Sequence, residues 1–300
     1  MSLSACGRHT SSAGPRLSKC CRQAVRAPTT RARPVKAAAA AAAMQDWTIV
    51  GSGRVGQALA EMGENDTVVR RGQMVEGPQG PIVVCTRNDA LEDVVNATPE
   101  ERRRDLVFIQ NGMLQPWLAE RGLEQNTQVL VYFAVPKAGA TPEDGKTDAN
   151  PEGLTAAWGL HAEAVATRLH ANNLACKVLE KDAFQRSMLE KLIWISSFML
   201  IGTKHKVNVG EVESKHTDEV AGLMKELGGV GGAELGVQLD DKFVERLLAY
   251  ARSVASFPTA VKEFYWRNGW FHRITERETA AGKPDPFPTH TALLQEVGAI

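Results

Sequence analysis

The hydrophobic pattern changes character once along this chain. From Trp47 to about Glu180, short apolar runs alternate with segments of helical period. The runs at 47–51, 67–70, 81–86, 106–110, 128–135, 154–159 and 177–180 read as strands, and 54–63, 88–96, 114–121 and 161–172 read as the helices between them. Runs such as Ile82-Val83-Val84 are apolar at every position, as in strands covered on both faces. Alternation of this kind predicts a parallel sheet with its ligand edge at the strand C-termini. The link from the second strand to Pro81 is short and rich in Gly and Pro, so the sheet is expected to be trimmed there. Residues 138–151 read as a polar loop.

Beyond Asp182 no convincing strand remains. A long helix capped by Asp182 is predicted to about Thr203, with Phe184, Met188, Leu192 and Met199 at helical spacing. Further helices fit 215–227, 240–256, 258–273 and 289–297, and the glycine cluster 228–236 reads as a loop. The expected fold is therefore a Rossmann-like, mostly parallel α/β domain over 44–181 followed by an all-α domain over 182–300, with a cleft between them.

One stretch gives the first domain its chemistry. After the apolar run Trp47–Val50 come Gly51, Gly53 and Gly56 in G-x-G-x-x-G spacing, with Ser52, Arg54 and Val55 between them and a helix-forming run behind. Gly51 permits a sharp turn, Gly53 lets backbone approach a pyrophosphate, and Gly56 lets helix and strand lie close. The helix N-terminus then faces the anion. A glycine cluster alone fits an ordinary βα turn; the strand before it and the helix after it favour a dinucleotide site. The second strand ends in Arg70-Arg71 with no acidic residue, and Arg87 follows the third. Guanidinium groups there suit a ribose 2′-phosphate, so NADP(H) is the expected cofactor.

Composition adds a leader. Met1 to Ala43 holds eight Lys or Arg, no Asp or Glu, many Ser, Thr and Ala, and a closing alanine run. That is the pattern of a transit peptide, disordered and removable; a basic tail or nucleic-acid arm is the plainer alternative. Its Ala and Ser content favours the chloroplast stroma over the mitochondrial matrix. Without it the chain has 27 basic and 35 acidic residues, a net charge of −8, which argues against a nucleic-acid partner. Cys85 and Cys176 stand in apolar surroundings and are expected as buried thiols. The longest apolar run, Leu192–Gly202, is too short to span a bilayer. No His/Cys ligand spacing is present, so no metal is expected.

Two further stretches carry candidate chemistry. Asn111, in Gln110-Asn111-Gly112, follows the strand Leu106–Ile109 and would project into the cleft, although Asn-Gly is also simply a good turn. Lys191, after Glu190, lies in the long helix with an apolar run behind it, as a functional amine or a snorkelling one.

Taken in order, Gly51–Gly56, the Arg-bearing second strand, Gln110-Asn111-Gly112, Glu190-Lys191-Leu192, the segment Lys262–Phe271 (KEFYWRNGWF) and Pro288–Leu294 (PTHTALL) resemble the ketopantoate reductase (2-dehydropantoate 2-reductase) family over most of 47–297. The resemblance implies a second domain like the C-terminal domain of 6-phosphogluconate dehydrogenase. It also implies NADPH-dependent reduction of a 2-oxo acid or similar small carbonyl substrate. Lys191 would be the general acid, Glu263 would accept from the product hydroxyl and orient the lysine, and Asn111 would hold substrate or nicotinamide in register. A cation beside a developing alkoxide both stabilises it and supplies a proton. The family's asparagines one and two turns after the lysine are here Ile195 and Met199, and its serine before the glutamate has only Ser253 and Ser256 as candidates. The pocket is thus expected to be more apolar. The alternative reading is a non-catalytic NADP(H)-binding regulatory protein with a degenerate pocket. The oligomeric state is open, a homodimer included.

Overall fold

The computed structural model describes residues 45–300; the expected transit peptide, 1–43, lies outside the described residues. Seven strands form one sheet: β1 (Thr48–Val50), β2 (Thr67–Val69), β3 (Ile82–Val84), β4 (Leu106–Phe108), β5 (Thr127–Leu130), β6 (Ala156–Trp158) and β7 (Lys177–Val178). Their order is β2-β1-β3-β4-β5-β6-β7. All neighbours are parallel except β5 and β6, which run antiparallel. Side chains alternate between the faces of the strands. Ile49, Val83, Val107 and Val129 therefore join one core with Leu59 and Leu169, whereas Val50, Val84 and Phe108 join another with Val94 and Leu118.

Helices α1 (Arg54–Glu61), α2 (Leu91–Ala97), α3 (Gln115–Glu120) and α4 (Ala162–Ala171) connect the strands. As the sequence predicts, no helix lies between β2 and β3. The predicted strand 128–135 is shorter than expected. Past Leu130 the chain leaves the sheet: Tyr132 N–H donates to Thr155 Oγ1, and Ala134 exchanges hydrogen bonds with Glu143. The apolar residues there are buried by packing and not by strand pairing.

The helical half holds α5 (Lys181–His205), α6 (Val209–Lys215), α7 (Thr217–Leu235), α8 (Phe243–Ser253), α9 (Asn268–Ala280) and α10 (Pro288–Glu296). The N-cap of α5 is Glu180, with no side-chain cap, so Asp182 is a first-turn acid and not the cap. The sequence missed α6, which opens with a capping box between Asn208 and Glu211. It also misread 228–236. Those glycines lie within α7 up to Leu235, and only Gly236 terminates it, in the left-handed region. Tertiary packing overrides glycine's poor propensity here: a Cβ on Gly231 would stand 3.2 Å from Leu189 Cδ1 and Phe271 Cε1. The predicted helix 258–273 is instead an irregular segment, a single 3-10 turn at Phe264–Trp266, and then α9. Glu263 sits before that turn at φ +48, in the left-handed region, and ends any continuous helix. The core of this half is built on α5, with Leu189, Leu192, Ile193 and Phe198 packed against Leu223, Met224 and Leu227 of α7.

Candidate active site

The glycine turn forms because β1 must stop hard against β3. Gly51 has φ +112, and a Cβ there would lie 3.0 Å from the Cys85 carbonyl. A Cβ on Gly56 would stand 2.0 Å from Gly51 O, so only glycine lets α1 pack on the turn. Gly53 differs: a Cβ on it would meet nothing within 4 Å. Protein packing does not demand that glycine. It leaves open space above the N-terminus of α1, where amide groups and helix dipole favour an anion, so the residues present fit a pyrophosphate.

Two cavities extend along the sheet's C-terminal edge. One, of about 220 Å³, is lined by Gly51, Arg70, Arg71 and Thr86. The other, of about 400 Å³, brings together Gly53, Arg54, Val55, Arg87, Asn111 and Glu263. Ser52 is exposed beside them, and Arg54 donates to Pro136 O at 3.0 Å. Arg87 is exposed and paired with Asp89 at 2.8 Å, so part of its anion capacity is already taken.

Asn111 is positioned by its neighbours. Gln110 Nε2 donates to Val84 O at 2.8 Å and Thr86 O at 3.1 Å, tying the ends of β3 and β4 together. Asn88 Nδ2 donates to Asn111 O at 3.2 Å. Gly112 has φ +123 and packs against Trp266, whose carbonyl accepts from Met113 N–H at 2.7 Å. The strand-end turn is thereby fastened to the segment that carries Glu263.

Lys191 sits in mid-α5, buried, and points at the sheet. Its Nζ donates to Val131 O at 2.5 Å, one residue past β5, and lies 4.9 Å from the centre of the Tyr132 ring. Burial, and then the charge of Arg267, bring its pKa down to about 7. Glu190 turns the other way, to an ion pair with Arg246 at 2.7 Å.

The resemblance implies that Glu263 helps orient Lys191; the two side chains share no hydrogen bond. The Glu263 carboxylate accepts from Arg267 Nη2 and from Asn88 N–H, the latter at 3.4 Å. Arg267 is the intermediary: paired to Glu263 and close enough to repel the Lys191 ammonium. Sequence reading missed Arg267 and Asn88. The signal for Arg267 was its place four residues after Glu263 and directly before Asn268-Gly269. That Asn-Gly pair is structural. Asn268 Oδ1 meets His290 Nε2 at 2.9 Å, joining α9 to α10, and a Cβ on Gly269 would stand 2.6 Å from Phe264 O.

Ile195 is buried and Met199 packs on the helical core, so α5 presents no polar group where the resemblance called for asparagines. Ser253 and Ser256 are exposed, and Ser253 Oγ donates to Tyr250 O at the end of α8. Trp194 and Trp270 belong to the helical core, and Trp266 packs edge-on against Trp117. Burial pushes the Cys85 and Cys176 thiols up to about 12, and both are free. Among the described residues one His/Glu group converges: His205, His216 and Glu219. Its imidazoles stack 3.7 Å apart, so their in-plane lone pairs run side by side, and Lys204 already holds Glu219 at 3.0 Å.

No protein-family model matches the chain, and no curated protein matches it. Solved structures do. A D-mandelate dehydrogenase with NADH and anilino(oxo)acetate matches with TM-score 0.60 at 15% identity, over 85% of this chain and 98% of that one. A ketopantoate reductase from Ralstonia eutropha matches with TM-score 0.58 at 17% identity, over 85% and 99%. A dimeric ketopantoate reductase from Staphylococcus aureus matches with TM-score 0.58 at 15% identity, over 85% and 99%. The chain has the ketopantoate reductase fold. Within the ketopantoate reductase fold, this sequence puts a buried amine at the sheet's C-terminal edge and a nearly buried guanidinium close enough to repel it.

Proposed function

We propose that the protein is an NADPH-dependent reductase of a 2-oxo acid or similar small carbonyl compound. The observation that carries this reading is Lys191, a buried amine held at the C-terminal end of β5. That edge is where open α/β sheets take their ligands. With a pKa of about 7 it is about half protonated at neutral pH and exchanges its proton readily.

NADPH supplies a hydride from nicotinamide C4. Gly51, Gly53 and Gly56 would hold its pyrophosphate, and Arg70 and Arg71 would hold the 2′-phosphate. As the carbonyl carbon gains the hydride, the C=O π pair moves onto oxygen, and the Lys191 ammonium stabilises that charge and donates its proton. The product is the 2-hydroxy acid. Asn111 orients the reacting carbonyl, and Glu263, held by Arg267, accepts from the new hydroxyl.

NADPH oxidation by the purified protein, followed with a panel of 2-oxo acids, tests the reading. Turnover with at least one member is expected; cofactor binding without turnover on any retires it. That second outcome is the mark of an NADP(H)-binding regulatory protein, the reading favoured by apolar Ile195 and Met199. Preference for NADP over NAD rests on the arginine pair. Replacing Arg70 and Arg71 by Ser should raise the KM for NADPH about 10–100-fold, as expected for lost charge-assisted contacts, and leave that for NADH within a few-fold. An equal effect on both cofactors removes the pair from 2′-phosphate recognition.

We also propose that residues 1–43 direct the protein to the chloroplast stroma, with the mitochondrial matrix as the alternative; imaging a fluorescent fusion decides. A homodimer is proposed by analogy with the dimeric Staphylococcus aureus structure, and light scattering of the purified protein tests it.

A further inference from the structure

The Arg267–Glu263 pair stands near enough to Lys191 for the guanidinium to repel its ammonium, and Arg267 and Lys191 have more donors than their own partners satisfy. Arg267 is nearly buried, its side chain 12% exposed. Its Nη2 is engaged by Glu263, while its Nε has no hydrogen-bond partner among the described residues. A guanidinium N–H out of water without an acceptor is an expensive arrangement. Lys191 has three possible donors as an ammonium and one acceptor, the Val131 carbonyl. The wall that α5 offers beyond it, Ile195 and Met199, has no acceptor to give. When Lys191 carries its proton, a second cation stands near Arg267, whose one carboxylate partner is Glu263.

We infer that Arg267 is the specificity-determining residue that recognises the carboxylate of the 2-oxo acid, so that the substrate itself completes the charge balance of the group. This rests on the reductase reading above. The guanidinium fork suits a carboxylate, and Arg267 is fixed where a binding residue should be fixed. On one side the Trp266 carbonyl is bonded to Met113, beside Asn111-Gly112; on the other, Asn268 is bonded to His290. Recognition has therefore moved from α5, where the resemblance called for asparagines, to the turn before α9. A carboxylate seated beside Arg267 also favours the ammonium form of Lys191, so binding the substrate loads the general acid with its proton.

The test measures kcat/KM with NADPH for 3-methyl-2-oxobutanoate and for its methyl ester. It uses the full-chain protein, R267M and R267K, each checked for a cooperative thermal melt. The unaltered protein should prefer acid over ester by at least about 100-fold, as a site built for a polar group does. R267M should lose most of that preference, chiefly through the KM for the acid, and R267K should regain part of it. Glu263 loses its partner in R267M, which slows acid and ester alike, so the ratio is the reading that counts. A preference that survives in R267M overturns the inference and leaves the reductase standing. If no variant turns over, calorimetry of 3-methyl-2-oxobutanoate with NADPH-loaded protein decides. Binding at least tenfold weaker in R267M upholds Arg267 while retiring the reductase; no binding, or equal binding, overturns the anion site as well. Should R267M not melt cooperatively, R267Q takes its place in both comparisons.

Discussion

The Lys191 amine titrates near neutrality because burial strips water from its charged form and Arg267 repels it. A general acid must hold its proton to act, so the pH dependence of reduction has a definite sign. In the reducing direction kcat/KM should be flat below about pH 7 and fall tenfold per unit above it. Lys191→Ala should lower kcat by roughly 10²–10⁴-fold and flatten that profile. Steady-state rates between pH 5.5 and 9 check both, and a profile unchanged in the variant removes Lys191 from proton transfer. At this scale Gly51, Gly53, Gly56, Arg70, Arg71, Asn111 and Lys191 were legible in the sequence, because each has a chemical signature or a fixed spacing. Arg267 was not. A lone arginine is ordinarily a solvated surface residue, and only the fold reveals that this one is enclosed beside an amine and a carboxylate.

Among the elements, α7 shows most clearly what the sequence hid. Glycine is a poor helix former, so a cluster of glycines reads as a loop. The helix survives because its glycines allow close packing: a Cβ on Gly232 would stand 2.7 Å from Val237 O, and one on Gly228 or Gly231 would press side chains at 3.1 and 3.2 Å. Gly222 and Gly229 face open space and serve no such contact. The same substitution should therefore have opposite effects along one helix. Gly222→Ala and Gly229→Ala should each stabilise by about 0.5–1 kcal/mol through helix propensity, whereas Gly232→Ala should destabilise by about 1–3 kcal/mol through overpacking. Thermal melts measure this, and a common sign for all three would contradict the packing account. The nucleotide turn follows the same logic more severely: Gly56→Ala, with its Cβ 2.0 Å from Gly51 O, should abolish NADPH binding by calorimetry.

Across the whole molecule, the buried amine links folding to pH with a sign opposite to its catalytic one. Between about pH 7 and its ordinary value of 10.5, Lys191 binds a proton in the unfolded chain but not in the folded one. Stability contributed at this site therefore rises with pH through that window, and below it the cost of the buried charge is borne in full. Lys191→Met should be more stable than the parent at pH 6, by an amount that shrinks toward pH 10. Urea midpoints at both ends give the difference; a difference independent of pH would mean the amine keeps its ordinary affinity for protons. Joining the two halves also belongs to this scale. Trp266 ties the helical half to the sheet half through the Met113 amide and the edge of Trp117.

The sequence by itself determined the alternation that makes a parallel sheet, the glycine turn at its first strand, and the arginines at its second. It also marked the amine on the long helix. Those features are local, set by residue type and by spacing within one or two elements. Only the tertiary structure decided where the amine points and what it meets. Burial and charge proximity are properties of segments far apart in the chain, so neither the neutral-range pKa of Lys191 nor the linking role of Arg267 was written in any one stretch.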